Sequence, residues 1–185
     1  MTTLVFCLEE PSAKAMLQGV LPRLLPANVQ VAYMVFEGKQ DMHKRLTHRM
    51  KHWLAPDSCF VVLRDQDSSD CRLLKQELRT LCEVAGQPQA LVRIACHELE
   101  TFYLGDLAAV EQGLGLSGLA KQQPSSKFRS PDHLANPAEE LGKLTKARYQ
   151  KLAGSRAISP HLRLDGRNAS VSFCALIAGV RRLTV

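Results

Sequence analysis

The stretch CFVVLRDQDSSD, Cys59–Asp70, carries the strongest indication of the fold. Its first five residues, Cys59–Leu63, form an unbroken apolar run, which is typical of a parallel strand covered on both faces. The run leads into Asp65 and Asp67, and apolar residues at helical spacing follow Asp70. A strand that passes through an acidic loop into a helix is half of a β-α-β unit. The stretch therefore predicts an α/β protein.

The same arrangement recurs through the first part of the chain. Further apolar runs predict strands at Thr3–Leu8, Val29–Phe36 and Leu91–Cys96. A basic amphipathic helix is predicted over residues 42–54, with Asp41 as its N-cap. Strands that alternate with helices of this length predict a mainly parallel sheet of about four strands flanked by helices.

The pattern weakens after residue 115. The predicted elements there are a long loop at 117–138, a helix at 138–152, a break at 154–160 and a last helix at about 170–183. We therefore expect an α/β domain at 1–115 and a basic, mostly helical extension at 116–185 that packs on it.

Composition excludes several classes of protein. The chain has 185 residues, of which 45% are apolar and 23% charged, as in an ordinary globular protein. It has no apolar run long enough to span a bilayer, and its start lacks the features of a secretory signal. The six cysteines show no C-x-x-C pair and no zinc-type spacing with His, which favours reduced thiols. We expect a cytoplasmic protein that does not contact membranes.

Charge is distributed unevenly along the chain. Residues 1–120 contain 12 basic and 14 acidic residues, whereas residues 121–185 contain 12 basic and 4 acidic residues. A basic segment favours a polyanionic partner such as DNA or RNA, although a basic surface can also be merely solvated. The candidate residues for phosphate contact are Lys39, which follows the second strand, and Arg148, Lys151 and Arg156 in the basic segment.

Carboxylates follow three of the predicted strands. They are Glu9 and Glu10 after the first, Asp65, Asp67 and Asp70 after the third, and Glu98 and Glu100 after the fourth. The carboxyl ends of parallel strands form the ligand crevice of an open sheet, so these acids are expected to converge. Because like charges a few ångströms apart repel, a divalent cation such as Mg²⁺ or Mn²⁺ would stabilise them. The predicted metal ligands are Glu9, Glu10, Asp65, Asp67 and Asp70, although Glu10 and Asp70 could be helix caps only.

These acids resemble those of the Toprim domain, the metal-dependent module of topoisomerases, primases and overcoming-lysogenization-defect nucleases. That family has a glutamate after its first strand, which Glu9 matches, and an Asp-x-Asp motif after its third, which Asp65 and Asp67 match. The family often has Gly where this chain has Glu10. The resemblance implies that Glu9, Asp65 and Asp67 are catalytic.

A closer resemblance is to a Toprim-like family of small bacterial proteins, the domain of unknown function 4276 family. The segments that carry it are Glu9–Ala13, Phe36–Asp41, Asp65–Asp67 with Asp70 and Cys71, Glu98–Asp106 and Ser155–His161. Genes of this family often lie beside genes for ATPases, as in some phage-defence systems. The resemblance therefore implies a possible ATPase partner.

Three functions agree with these residues. The first is an Mg²⁺-dependent phosphodiesterase acting on nucleic acid, with Glu10 and Asp70 binding a second ion or orienting water. The second is a module that binds nucleic acid or an ATPase without catalysis, which the partial second metal set and the departure at Glu10 favour. Only this module remains if Glu9 and Asp65 point away from each other, or if Arg and Lys side chains already fill the space between the acids. The third is a phospho-accepting receiver domain, which the Asp-x-Asp pair and the absence of a clear lysine after a fifth strand disfavour.

Overall fold

The computed structural model describes residues 2–184 and contains a four-stranded, fully parallel sheet in the order β2-β1-β3-β4. The strands are β1 (Thr3–Leu8), β2 (Gln30–Val35), β3 (Ser58–Asp65) and β4 (Leu91–Ala95). Leu8 pairs with both Val35 and Leu63, and Asp65 pairs with Ala95, so the four strands end at one edge. We call this edge, with the loops that leave it, the carboxyl rim.

Helices cover both faces of the sheet. The α-helices are α1 (Pro11–Val20), α2 (Lys39–Lys51), α3 (Cys71–Val84), α4 (Thr101–Leu104), α5 (Leu107–Leu114), α6 (Pro137–Leu144), α7 (Lys151–Ile158) and α8 (Val171–Arg182). Short 3₁₀ turns lie at Leu21–Arg23, Ala120–Gln122, Pro131–His133 and Ser159–His161. The predicted fold class, an α/β sheet flanked by helices, is confirmed.

Two apolar cores follow from the alternation of side chains along the strands. One core joins Val5 of β1 to α2 and α3, for example through Leu46 and Leu78. The other joins Phe6 of β1 to helices that include α4 and α8, for example through Phe102 and Phe173. This second core contains residues from before and after residue 115, so the extension packs on the α/β part of the chain. The domain boundary at residue 115 stays a prediction.

The helix α3 shows how local sequence positions an element at the rim. Its N-cap is Asp70, whose Oδ1 accepts hydrogen bonds from the backbone N–H groups of Arg72 and Leu73, both at 2.9 Å. Leu74 and Leu78 lie one helical turn apart and are buried against the sheet. The helix therefore begins at the rim and runs back across one face.

Three details of the predicted helices were wrong. The helix predicted at 138–152 is two helices, α6 and α7, because the chain turns between them, with positive φ angles at Lys146 and Ala147. The second helix begins at Lys39 and not after Asp41, because Gly38 with φ of 95° ends the preceding turn. Asp41 lies in the first turn, where its carboxylate accepts a hydrogen bond from the Glu37 backbone N–H at 3.1 Å. Gly154 lies inside α7 and does not break it, because the absence of a side chain makes room for the Tyr149 ring.

The cysteines agree with the prediction of reduced thiols. All six cysteines are free. None of the helices in the described part of the chain is both long enough and apolar enough to cross a bilayer.

Candidate functional site

The structure brings two of the predicted site residues into direct contact at the carboxyl rim. Glu9 directly follows β1, and Asp65 is the last residue of the neighbouring strand β3. Glu9 Oε2 accepts a hydrogen bond from the Asp65 backbone N–H at 3.2 Å. Residues 56 positions apart in the sequence therefore meet because β1 and β3 are paired in the sheet.

The rim has two sides, one for each face of the sheet. Cys7 belongs to the core beneath α2 and α3, so side-chain alternation directs Glu9 to the α2–α3 side and Glu10 to the other. The contacts agree with this assignment. Glu9 Oε2 lies 3.9 Å from Arg64 Nε, whereas Glu10 Oε1 lies 2.6 Å from Lys151 Nζ at the start of α7.

The other side of the rim, which lies on the face of the sheet covered by α1 and α7 and which we call the α1–α7 side, holds a group of buried or half-buried acids. Glu100, immediately before α4, is only 1% exposed, and its Oε1 accepts a hydrogen bond from the Tyr149 hydroxyl at 2.8 Å. Its Oε2 is buried without a hydrogen-bond partner in the described residues. Burial raises the pKa of Glu100, although the Tyr149 hydrogen bond and the Lys151 charge oppose that rise.

Asp65 belongs to the same group. Burial raises the pKa of Asp65 well above its usual range, and the charges of Glu9, Glu100 and Glu10 raise it further. Carboxylates that perturb one another in this way are typical of functional sites. Glu9 approaches this group from the α2–α3 side of the rim, so these four acids, which come from three separate stretches of sequence, meet only in the folded chain.

The α2–α3 side of the rim contains Asp67. Its Oδ2 lies 2.9 Å from Lys39 Nζ at the start of α2. The Asp67 backbone N–H donates to the His97 carbonyl at 2.7 Å, and both residues have positive φ angles, of 52° and 59°. Burial raises the pKa of the nearby Glu9 carboxyl, and the hydrogen bond from the Asp65 backbone N–H opposes that rise. The negative charge of Asp67 raises the pKa of Glu9 further. The loop after β4 thus holds the Asp-x-Asp loop in place.

The remaining predicted residues lie apart from this contact network. Asp70 is exposed, and its carboxylate caps α3. Arg148 and Arg156 are also exposed, and Arg148 Nη2 lies 3.5 Å from the Leu114 carbonyl. Glu98 Oε2 accepts from the Ala138 backbone N–H at 2.7 Å, at the start of α6.

Sequence reasoning did not single out Arg64 or Tyr149, and it included Glu100 only among the acids that follow strands. Arg64 offered a signal, because it is the charged residue that directly follows an apolar strand run. Tyr149 offered none, since its role depends on the approach of the segment between α6 and α7 to Glu100.

The rim residues suit a hard divalent cation in chemistry but are not arranged as a closed ligand cage. Between residues 2 and 184, no three His, Cys, Asp or Glu side chains are grouped closely enough to hold an ion as they stand. The available oxygens are carboxylates, which Mg²⁺ and Mn²⁺ prefer. Glu9, Asp65 and Glu100 have raised pKa values, and Glu100 Oε2 is an unpartnered buried oxygen, so a cation there would relieve an existing cost. The predicted ligands Glu9, Asp65 and Asp67 would have to move closer together to hold it.

Comparison with known sequences gives the family. Residues 8–181 match a family described as a domain of unknown function, DUF4276. The chain belongs to the DUF4276 family. No curated protein matches this DUF4276 chain. Among solved structures it is similar to the C-terminal region of the Burkholderia pseudomallei OLD protein, at 16% sequence identity and a TM-score of 0.54, over 98% of each chain. This likeness shows a shared fold.

Proposed function

We propose that this DUF4276 protein is an Mg²⁺-dependent phosphodiesterase that acts on nucleic acid through a Toprim-like site. The observation that carries the proposal is the convergence of Glu9, Asp65 and Glu100, with Glu9 bonded to the Asp65 backbone and all three pKa values raised. Such a set repels itself unless protons or a cation are bound. The shared fold with the OLD protein C-terminal region supports the proposal.

Each rim residue has a role in this proposal. Glu9, Asp65 and Asp67 hold the ion, which when bound polarises the phosphodiester and lowers the pKa of the attacking water. Glu10 would orient that water or hold a second ion once its ion pair with Lys151, at 2.6 Å, opens. Asp70 is a weaker candidate for this role than Glu10, because its carboxylate caps α3.

Basic residues flank the acids and would contact the substrate. Lys39 and Lys151 already contact rim carboxylates, at 2.9 and 2.6 Å. Both side chains are about half exposed, so each can reach a phosphate oxygen. Arg148 and Arg156 would contact the nucleic-acid backbone farther from the rim. An ATPase partner and a role in phage defence, both implied by the family resemblance, complete the proposal.

The direct test is cleavage of labelled DNA and RNA, single- and double-stranded, with Mg²⁺ or Mn²⁺. Asp65→Asn and Glu9→Gln preserve shape but remove charge, and each should reduce cleavage about 100-fold or more. Asp57→Asn is the matched control, since Asp57 is exposed immediately before β3, at the end of the strand away from the rim, and Asn tolerates its positive φ of 53°. If the two rim variants cleave as fast as the parent and the control, the site assignment is wrong.

The ion pairs at the rim favour a second candidate, a module that binds nucleic acid or an ATPase without cleaving anything. Lys39 and Lys151 already compensate Asp67 and Glu10, and Arg64 lies beside Glu9. Basic side chains thus occupy part of the space between the acids, so these three carboxylates need no ion. Gel shifts and pull-downs in EDTA separate the candidates, because a module of this kind keeps its full affinity without metal.

A further inference from the structure

We propose that the groove between α2 and α3 binds a backbone phosphate of the nucleic acid, with Arg64 as its central ligand. The proposal deepens the proposed function and rests on it for the nature of the substrate. The groove is open to solvent and has a volume of about 270 Å³. Its lining residues are Lys39, Gln40, His43, Lys44, Arg64 and Glu77.

Arg64 is the buried member of this lining. It is only 8% exposed, and its Nε is buried with no hydrogen-bond partner in the part of the chain that the structure describes. Its nearest acidic oxygen, Glu9 Oε2, is 3.9 Å away, which is too far for a hydrogen bond. A buried donor without an acceptor is costly, and a guanidinium group matches the paired oxygens of a phosphate. Arg64 therefore lacks an acceptor that a phosphate would supply.

The rest of the lining makes the groove attractive to an anion. Lys39 and Lys44 project from successive turns of α2, and Lys44 and His43 are both exposed. Lys39 bonds to Asp67 and Arg64 lies beside Glu9, while Glu77 lines the groove from α3, so Lys44 supplies the cation of this lining that forms no ion pair among residues 2–184. Arg64 adds a charge that the surrounding protein screens less than water screens the exposed lysines, and Glu9 offsets part of it.

The groove opens beside the acids of the rim. Arg64 lies next to Glu9, and Lys39 bonds to Asp67, so a phosphate on Arg64 would place its neighbours in the chain near the candidate metal ligands. A second basic surface continues along the outer side of α3, through Arg72, Lys75 and Arg79. The nucleic acid would therefore follow the α2–α3 side of the molecule, rather than lie only on the basic extension.

Anisotropy of fluorescein-labelled single-stranded and duplex oligonucleotides, measured in EDTA, tests the groove independently of catalysis. Arg64→Met keeps the apolar stem but removes the charged group, and it should weaken binding about 10-fold or more. Lys44→Gln should weaken binding uniformly and reduce the slope of log affinity against log salt by about 1. Lys121→Gln, an exposed lysine outside the groove, is the charge-matched control and should bind as the parent does.

Because Arg64→Met could affect folding, Lys44→Gln carries the test on an exposed residue, with circular dichroism as a check. Parent-like affinity and salt slope in Lys44→Gln would overturn the proposal, as would a loss of binding only in Arg148→Gln and Arg156→Gln. Unlabelled inorganic phosphate or a mononucleotide could also be added to displace the labelled oligonucleotide. If either competes as strongly as the unlabelled oligonucleotide does, the site holds small phosphates and the proposal is overturned. If the groove variants bind more weakly but the parent does not cleave in Mg²⁺, the phosphodiesterase proposal alone is refuted. If the parent cleaves and the groove variants bind as tightly as the parent, the groove proposal alone is refuted.

Discussion

Replacing Tyr149 with Phe should destabilise the protein through a single buried carboxylate. Tyr149 is 8% exposed and Glu100 is 1% exposed, and the Tyr149 hydroxyl donates to Glu100 Oε1 at 2.8 Å. Oε2 has no hydrogen-bond partner among residues 2–184. Tyr149→Phe would therefore leave both oxygens of a buried carboxylate without this donor, while the aromatic ring and its packing are preserved.

The expected loss follows from the charge of the acceptor. A hydrogen bond to a charged group contributes about 1.5–3 kcal/mol, so we expect Tyr149→Phe to lower the free energy of unfolding by about 2 kcal/mol. With an m-value of about 2 kcal/mol/M, the urea midpoint should fall by about 1 M. Burial raises the pKa of Glu100, and loss of the donor raises it further. The loss should therefore grow as pH rises and Glu100 ionises, and it should be smaller in acid, where Glu100 is neutral.

Urea unfolding followed by circular dichroism, combined with a double-mutant cycle, measures this effect. Tyr33→Phe is the matched control, because Tyr33 is half-buried and its hydroxyl bonds to no residue in the described chain. Tyr149→Phe in a Glu100→Gln background should cost less than it does in the parent, by the coupling energy of the pair. A coupling energy near zero, or equal midpoints for Tyr149→Phe and Tyr33→Phe, would show that the Tyr149 hydroxyl does not stabilise Glu100.

Changes at four further positions probe the fold in urea unfolding. Gly19→Ala should lower the free energy of unfolding by about 1–3 kcal/mol, because the added methyl group would collide with Ser159 Oγ and lie 2.9 Å from the Pro160 backbone nitrogen. Gly142→Ala, where the added methyl group meets open space within α6, should instead leave the stability unchanged or raise it by up to about 1 kcal/mol. Equal effects at the two glycines would show that Gly19 is not closely packed against the 3₁₀ turn at Ser159–His161. Asp70→Ala should lower the free energy of unfolding by about 1 kcal/mol, because α3 loses its N-cap. If Asp70→Ser restores stability but not cleavage, Asp70 has a role in cleavage besides capping the helix. Leu78→Ala should cost about 2–5 kcal/mol, since Leu78 is fully buried beneath the sheet, and a smaller loss would mean that the core collapses around it.

Local sequence was enough to locate the strands and the acids that follow them. The apolar run at Cys59–Leu63 and the Asp70 cap both lie where the structure has a strand and a helix start. These features depend on neighbouring residues only. The start of α2 was misplaced, because a capping aspartate and a glycine in the left-handed region compete for the same turn and sequence does not rank them.

The partners of the acids could not be predicted in the same way. Lys39 was a candidate for phosphate contact, yet its bond to Asp67 depends on β1 separating β2 from β3 and on the positive φ of Asp67. Tyr149 reaches Glu100 from 49 residues away. Contacts of this length depend on how the extension packs on the sheet, which no local pattern specifies.

By itself, the sequence determined that this is a parallel α/β protein with carboxylates at its strand ends, because strand burial, helix periodicity and capping are short-range properties of the chain. Three-dimensional packing alone establishes which acids share a side of the rim, that Arg64 Nε is buried without an acceptor among residues 2–184, and that Tyr149 donates to Glu100. The physical reason is that burial and electrostatic coupling depend on distances through space between segments that are remote in the chain.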